Sequence, residues 1–183
     1  MASKKKTHLI QTANQLFYRH GFHATGIDTI LMEAGIAKMT LYNHFTSKED
    51  LIAQGLDVKS KNIMAWLSKG LEAHAVSERD KLFTIFDIYE QWFKSENFFG
   101  CMFAKAAGEF PNPDHPVHKV TSNHLAKLFD GLSNIATKAQ INNPSGLAEQ
   151  IVLLLEGSTS VAFTTGATIS ARRAKRTVIQ LLR

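Results

Sequence analysis

Cysteine is nearly missing from this 183-residue chain. Cys101 stands alone, so no internal disulfide can form, and the stapled framework of a small secreted domain is excluded. Proline is absent before Pro111, so nothing in the first half of the chain forbids a helix from continuing. No apolar run approaches the roughly 20 residues needed to cross a bilayer, and no long apolar core follows Met-Ala-Ser-Lys-Lys-Lys as it would in a secretory signal. The expectation is a cytoplasmic protein with no membrane partner. A glycine-rich phosphate loop is also lacking, as is any strand-like alternation of apolar and polar residues.

What is present suits a helical globule. Hydrophobic residues make up 44% of the chain, enough for a core without disulfides or a structural metal. The formal net charge is +5, carried at the two ends. Lys4, Lys5, Lys6 and Arg19 open the chain with no acid among the first 20 residues, and Arg172, Arg173, Lys175, Arg176 and Arg183 close it in the same way. The middle is acidic overall. Such ends admit an anionic partner without identifying one, and two solvated helix faces fit the charge equally well.

The apolar period is helical almost throughout. Leu9, Ile10, Ala13, Leu16 and Phe17 share one face of a first helix, stopped at Gly21. Ile27, Ile30, Leu31 and Ala34 define a short second helix ending at Gly35, and Leu41 and Phe45 lie one turn apart on a third. Ser47-Lys48-Glu49-Asp50 is a capping-box pattern and predicts a longer helix through about Leu71. Further helices are predicted over 77–93, over 98–107, from Val117 past Ile135, over 145–166 and over 167–182. Pro111, Pro113 and Pro116 mark one break and Asn142-Asn143-Pro144 another. The fold class is all-α with about nine helices.

Ile27–Ala34, the turn Gly35-Ile36-Ala37 and Lys38–Phe45 form a helix, a glycine-containing turn and a helix. A short second helix of this kind must lock its apolar face to the first and turn its polar face to a DNA groove. With Leu41 and Phe45 inward, Lys38, Met39, Tyr42, Asn43 and His44 are left to meet DNA. Alone, the pattern is common among helical proteins.

The flanking residues narrow it. Gly21-Phe22-His23-Ala24-Thr25, the run Ile30 to Phe45 with Thr40-Leu41-Tyr42-Asn43-His44-Phe45, and Ser47-Lys48-Glu49-Asp50-Leu51 resemble the signature of the TetR (tetracycline-repressor-like) family over roughly residues 5–55. Gly100-Cys101-Met102-Phe103 and Glu109-Phe110-Pro111 look, more loosely, like the effector domain of one branch of it. The resemblance implies a three-helix DNA-binding domain over 1–50 and a helical effector-binding and dimerisation domain over 51–183. It also implies a homodimer on double-stranded operator DNA, an unidentified small-molecule effector, and neither a cofactor, a bound metal nor a catalytic residue.

Carried over by position, Thr40 and Tyr42 match residues that touch backbone or bases, and Lys48 matches a phosphate contact. A lysine at a helix N-terminus adds a full charge to the free N–H donors there, which suits a phosphate on physical grounds as well. Lys38, Met39 and Asn43 fall at base-reading positions: lysine donates to guanine, asparagine pairs with adenine, and methionine presses on a thymine methyl. Thr25 reads either as a phosphate contact or as a helix cap, and His44 either as a DNA contact or as packing on the first helix. Lys4-Lys5-Lys6 would add a sequence-independent grip. Ala37, Leu31 and Gly26 depart from the pattern. Ala37 stands where a capping serine is common, at a cost of about 1 kcal/mol.

For the second domain, Phe86, Tyr89, Trp92, Phe99, Cys101, Met102 and Phe103 are candidate pocket residues, soft and aromatic; ordinary core is the alternative. Leu154, Gly157, Ser158, Val161 and Ala162 are candidate dimer contacts because small residues let helices approach closely, with packing inside one protomer as the alternative. Two rival functions stand beside the regulator. His115 and His118 beside Asp114 suggest a metal enzyme, though no further ligand pair completes a site. A non-sensing architectural DNA-binding protein would use the same scaffold.

Overall fold

The computed structural model describes residues 4–182. Among them are nine α-helices: α1 (Lys4–His20), α2 (Ile27–Ala34), α3 (Lys38–Tyr42), α4 (Lys48–His74), α5 (Glu78–Phe93), α6 (Met102–Glu109), α7 (Pro116–Lys138), α8 (Pro144–Thr165) and α9 (Ser170–Leu181). Arg183 of the basic C-terminal run lies outside the described residues. The chain forms two compact units: one runs up to Asn62 and adds Met102–His124, the other comprises Ile63–Cys101 and the residues from Leu125 onward.

The first unit is built around Leu9, Ala13 and Phe17 of α1, Ile30 of α2, and Leu41 and Phe45 in and after α3, all essentially out of solvent. Each such side chain contributes about 1.5–3 kcal/mol by leaving water. Phe17 stacks on Phe22 with ring centroids 5.2 Å apart, which anchors the turn between α1 and α2. The α2–α3 turn needs Gly35, whose φ of +62° is a left-handed conformation that closes α2 through the Gly35 and Ile36 N–H groups. His8 Nε2 donates to the Ala34 carbonyl at 3.1 Å, so α1 takes up another orphan acceptor of the α2 C-terminus.

α4 starts where the capping pattern predicts. Ser47 Oγ accepts from the Asp50 N–H at 3.1 Å, while Asp50 Oδ2 reaches back to the Thr46 N–H at 2.9 Å. The hydrogen bond from Gln54 and those from Thr46 outweigh the effect of burial and hold the Asp50 carboxyl below the ordinary aspartate range. α4 continues to His74, beyond the predicted end near Leu71, because nothing in Glu72-Ala73-His74 breaks a helix. α6 begins at Met102 instead of Phe98 because Gly100 has a φ of +82°. α3 ends at Tyr42, with Asn43 as its cap.

The second unit packs α5, α8 and α9 on one another. Leu82, Phe86, Ile151, Leu155, Ala171 and Val178 are at its centre. Its polar tie is Glu90 of α5, which receives two hydrogen bonds from Arg172 at 2.6 and 3.1 Å and one from Lys94 at 2.6 Å. Such a fork fixes the rotation of α9 as well as its distance. Asn143 caps α8 by accepting from the Gly146 N–H, and Pro144 takes the first position of the helix, where a missing N–H costs nothing.

Candidate nucleic-acid interface

α3 divides its residues as its period dictates. Leu41 is fully buried and Phe45 nearly so. Met39 is 77% exposed and Tyr42 50% exposed, Lys38 and Asn43 are exposed, and Thr40 and His44 are half-buried. An exposed methionine and tyrosine beside a lysine and an asparagine give this short helix apolar, aromatic, cationic and amide chemistry on one surface, the set needed to read base edges. Lys38 is lightly held: its nearest carboxylate, Asp28, lies 3.8 Å away and both side chains are exposed. A pair of that kind contributes less than about 1 kcal/mol and yields readily to a phosphate or a base. His44 meets Phe45 edge to face at 6.3 Å, a local contact compatible with either role.

Two of the expected contacts behave differently. Lys48 is half-buried at the start of α4, and its Nζ donates to the His23 carbonyl at 3.3 Å, so the ammonium is positioned on the loop before α2. Thr25 is buried, and its hydroxyl donates to the Gly21 carbonyl at 2.7 Å. That bond uses the one proton a phosphate contact would require, so Thr25 closes the loop from within.

The same loop shows a contact that sequence reasoning missed. Glu109, at the end of α6, accepts from the N–H groups of Phe22 at 2.9 Å and of His23 at 2.6 Å, and pairs with His23 Nδ1 at 2.8 Å. The His23 ring stacks on Phe110 at 4.8 Å, and Phe110 on His115 at 4.8 Å. Burial pushes the Glu109 carboxyl upward, but the two backbone donors and the histidine outweigh it and hold the group below the ordinary glutamate range. The sequence signal here is Glu109-Phe110-Pro111, which the sequence ties loosely to an effector domain, whereas in the structure it joins the first unit.

Three lysines, Lys4, Lys5 and Lys6, fill the first turn of α1 with no acid among them. Cations at the positive end of a helix cost about 0.3–1 kcal/mol each. A polyanion laid against that end would turn the cost into attraction.

In the second unit, Phe86 and Tyr89 are buried, and Trp92, Phe99 and Cys101 are half-buried. Tyr89, Trp92, Phe93, Phe98 and Phe163 form a continuous set of edge and tilted ring contacts at 4.9–6.4 Å. Glu156 of α8 lies in this apolar setting. Burial raises its carboxyl above the ordinary range, against a hydrogen bond with Cys101. A cavity of about 250 Å³ in this unit is lined by Leu67, Leu71, Ile85, Leu128 and Leu132, and by none of the candidate pocket residues. Met102 and Phe103 are buried in the first unit, where Phe103 stacks on His124 at 3.7 Å.

Of the candidate dimer contacts, Gly157 and Val161 are exposed on α8 and Leu154 is half-buried. Ser158 and Ala162 are buried within the protomer, and the Ser158 carbonyl accepts from Ser170 Oγ of α9 at 2.8 Å. The small residues therefore seat α9, one helical face away from the exposed stripe of Leu153, Gly157 and Val161. His115 and His118 are engaged structurally: His115 Nδ1 accepts from the Val117 N–H at 3.2 Å, and His118 Nδ1 donates to the Phe110 carbonyl at 2.8 Å. Among the described residues no group of three His, Cys, Asp or Glu could hold a metal, and no helix is long and apolar enough to cross a membrane.

Residues 9–54 match the model of the bacterial regulatory proteins, tetR family. The chain is 22% identical over 148 residues to the HTH-type transcriptional regulator YjdC of Escherichia coli (strain K12), covering 81% of this chain and 78% of that protein. It is 25% identical over 125 residues to the HTH-type transcriptional repressor DhaR of Mycobacterium sp. (strain GP1), covering 68% of this chain and 60% of the relative. Among solved structures it resembles SCO4454, a TetR-family transcriptional regulator from Streptomyces coelicolor, with a TM-score of 0.89 and 26% identity over 98% of this chain and 94% of that one.

Proposed function

We propose that this chain, whose residues 9–54 match the tetR family of bacterial regulatory proteins and whose fold resembles a TetR-family transcriptional regulator, is a DNA-binding transcriptional regulator, and that it acts as a ligand-responsive repressor on a palindromic operator, bound as a homodimer. The observation that carries this reading is the outward surface of α3: Lys38, Met39, Tyr42 and Asn43 project while Leu41 and Phe45 hold the helix down. Lys48 and the first turn of α1 supply the phosphate contacts, and Thr40 supports them from the half-buried side of α3. DhaR is itself a repressor, which favours that polarity here.

The partner in the dimer is a second copy of the chain, joined through the exposed stripe of α8. Leu153 is 72% exposed and Val161 45% exposed on that stripe, apolar area that a two-fold contact would cover. Two recognition helices then meet half-sites about 34–36 Å apart, one turn of DNA. The effector is a small apolar or aromatic molecule received by the ring cluster around Tyr89 and Trp92, with Cys101 and Glu156 as its polar contacts. It lowers DNA affinity by favouring a different separation of the two readers. The protein works in the cytoplasm and is held to the nucleoid when bound.

Selection of binding sites from random duplexes, followed by band-shift titration of the selected site with and without candidate ligands, tests the whole reading. A selected palindrome and an affinity that falls with ligand support it. Equal affinity for selected and random DNA would leave the architectural alternative in its place, and an affinity indifferent to every ligand would remove the sensing role.

A further inference from the structure

A groove of about 970 Å³ runs between α1 and α4 in the first unit. It lies at the upper end of the roughly 300–1,000 Å³ usual for small-molecule sites. The functional reading above makes no use of it. Its walls mix apolar surface from Ile10 and Val58 with amide side chains from Gln11, Gln54 and Asn62, the apolar body and sparse polar contacts of a ligand site.

Charge distinguishes the groove further. The ammonium of Lys59 sits 5.8 Å from the centroid of the Tyr18 ring, and the ammonium of Lys105 lies 5.5 Å from the same centroid. Lys105 also donates to the Tyr18 carbonyl at 3.1 Å. Among the described residues Lys59 has no carboxylate partner, and the acid that lines the groove, Asp57, pairs with Lys61 at 2.7 Å. Burial alone pulls Lys59 below the usual lysine range. A cation partly removed from water with no counter-charge is costly to the fold, and an anion set beside it offsets that cost.

We propose that the groove between α1 and α4 is a second small-molecule site, for an aromatic organic anion whose acidic group meets Lys59 and whose rings lie along Tyr18. The site goes beyond the effector reading and does not depend on it. Both of its walls also carry DNA-facing residues, the lysine turn of α1 and Lys48 of α4. An occupant therefore acts on the DNA reader from within its own unit.

Fluorescence titration of the full chain without DNA tests this, using 8-anilinonaphthalene-1-sulfonate and its uncharged parent N-phenyl-1-naphthylamine. The sulfonate binds at one saturable site, and the uncharged probe binds about tenfold more weakly, the value of a lost charge-assisted hydrogen bond. Lys59→Gln removes that preference, and Gln11→Trp, which fills the groove and leaves Lys59 intact, removes sulfonate binding itself. Thermal melts check that both variants fold as the parent does. Should either melt early, Lys59→Arg decides: keeping the charge must keep the preference. Equal binding of the two probes, sulfonate binding unchanged in Lys59→Gln or Gln11→Trp, or a lost preference in Lys59→Arg, overturns the proposal.

Discussion

Lys48 and Glu109 both hold one short loop. The first donates to the His23 carbonyl, and the second accepts the N–H groups of Phe22 and His23. Lys48→Ala should weaken DNA binding on every sequence alike and make the salt dependence shallower by about one unit of slope; titrations across a salt series check it. Asn43→Ala should instead shift which site is preferred, at about 1–3 kcal/mol per lost base contact, as repeat selection would show. Glu109 adds a pH dependence. Its folded carboxyl titrates below the ordinary glutamate value, so the clamp is fully present above about pH 4.3 and is lost as pH falls through the depressed value. Glu109→Gln should therefore melt below the parent at neutral pH, with the difference shrinking in acid. The outward residues of α3 were legible because helical period alone separates Met39 and Tyr42 from Leu41. The burial of Thr25 was not, since it depends on how a loop folds back on Gly21.

Beside the groove, α1 and α4 touch tightly at one point, Asn14 against Gly55. Asn14 Nδ2 donates to the Gly55 carbonyl at 2.9 Å, and a Cβ on Gly55 would come within 2.5 Å of Asn14 Oδ1. Gly55→Ala should lower both the melting temperature and DNA affinity, although alanine favours helices. Asn14→Ala should recover part of that loss, so the double variant falls short of the sum of the two singles. α3 has room to improve: its cap, Ala37, makes no side-chain hydrogen bond. Ala37→Ser should add about 1 kcal/mol, read as a rise of about 2–4 °C in melting temperature for a chain of this size. Helix positions followed from apolar period and caps, as at Ser47 and Asn143. Ends set by a single backbone torsion, as at Gly100, carry no periodic signal and were misplaced at α6.

At the scale of the molecule, the order of helices could be read along the chain, but their grouping could not. α6 and the first part of α7 join the same compact unit as α1 to α3, because partners such as Glu109 and Phe22 are chosen in space. Introducing charge on the exposed stripe of α8 tests the assembly: Val161→Asp together with Leu153→Asp should give monomers by sedimentation and abolish tight operator binding. Ser158→Ala, inside the protomer, should leave the dimer intact. The Glu109 clamp, finally, bears on how the protein is made. The two amides it holds, at Phe22 and His23, leave the ribosome long before the carboxylate that completes their loop. A nascent or truncated chain ending before α6 would own every residue proposed to face DNA and still lack the carboxylate that closes the loop beside them, so completion of that loop must await synthesis of α6.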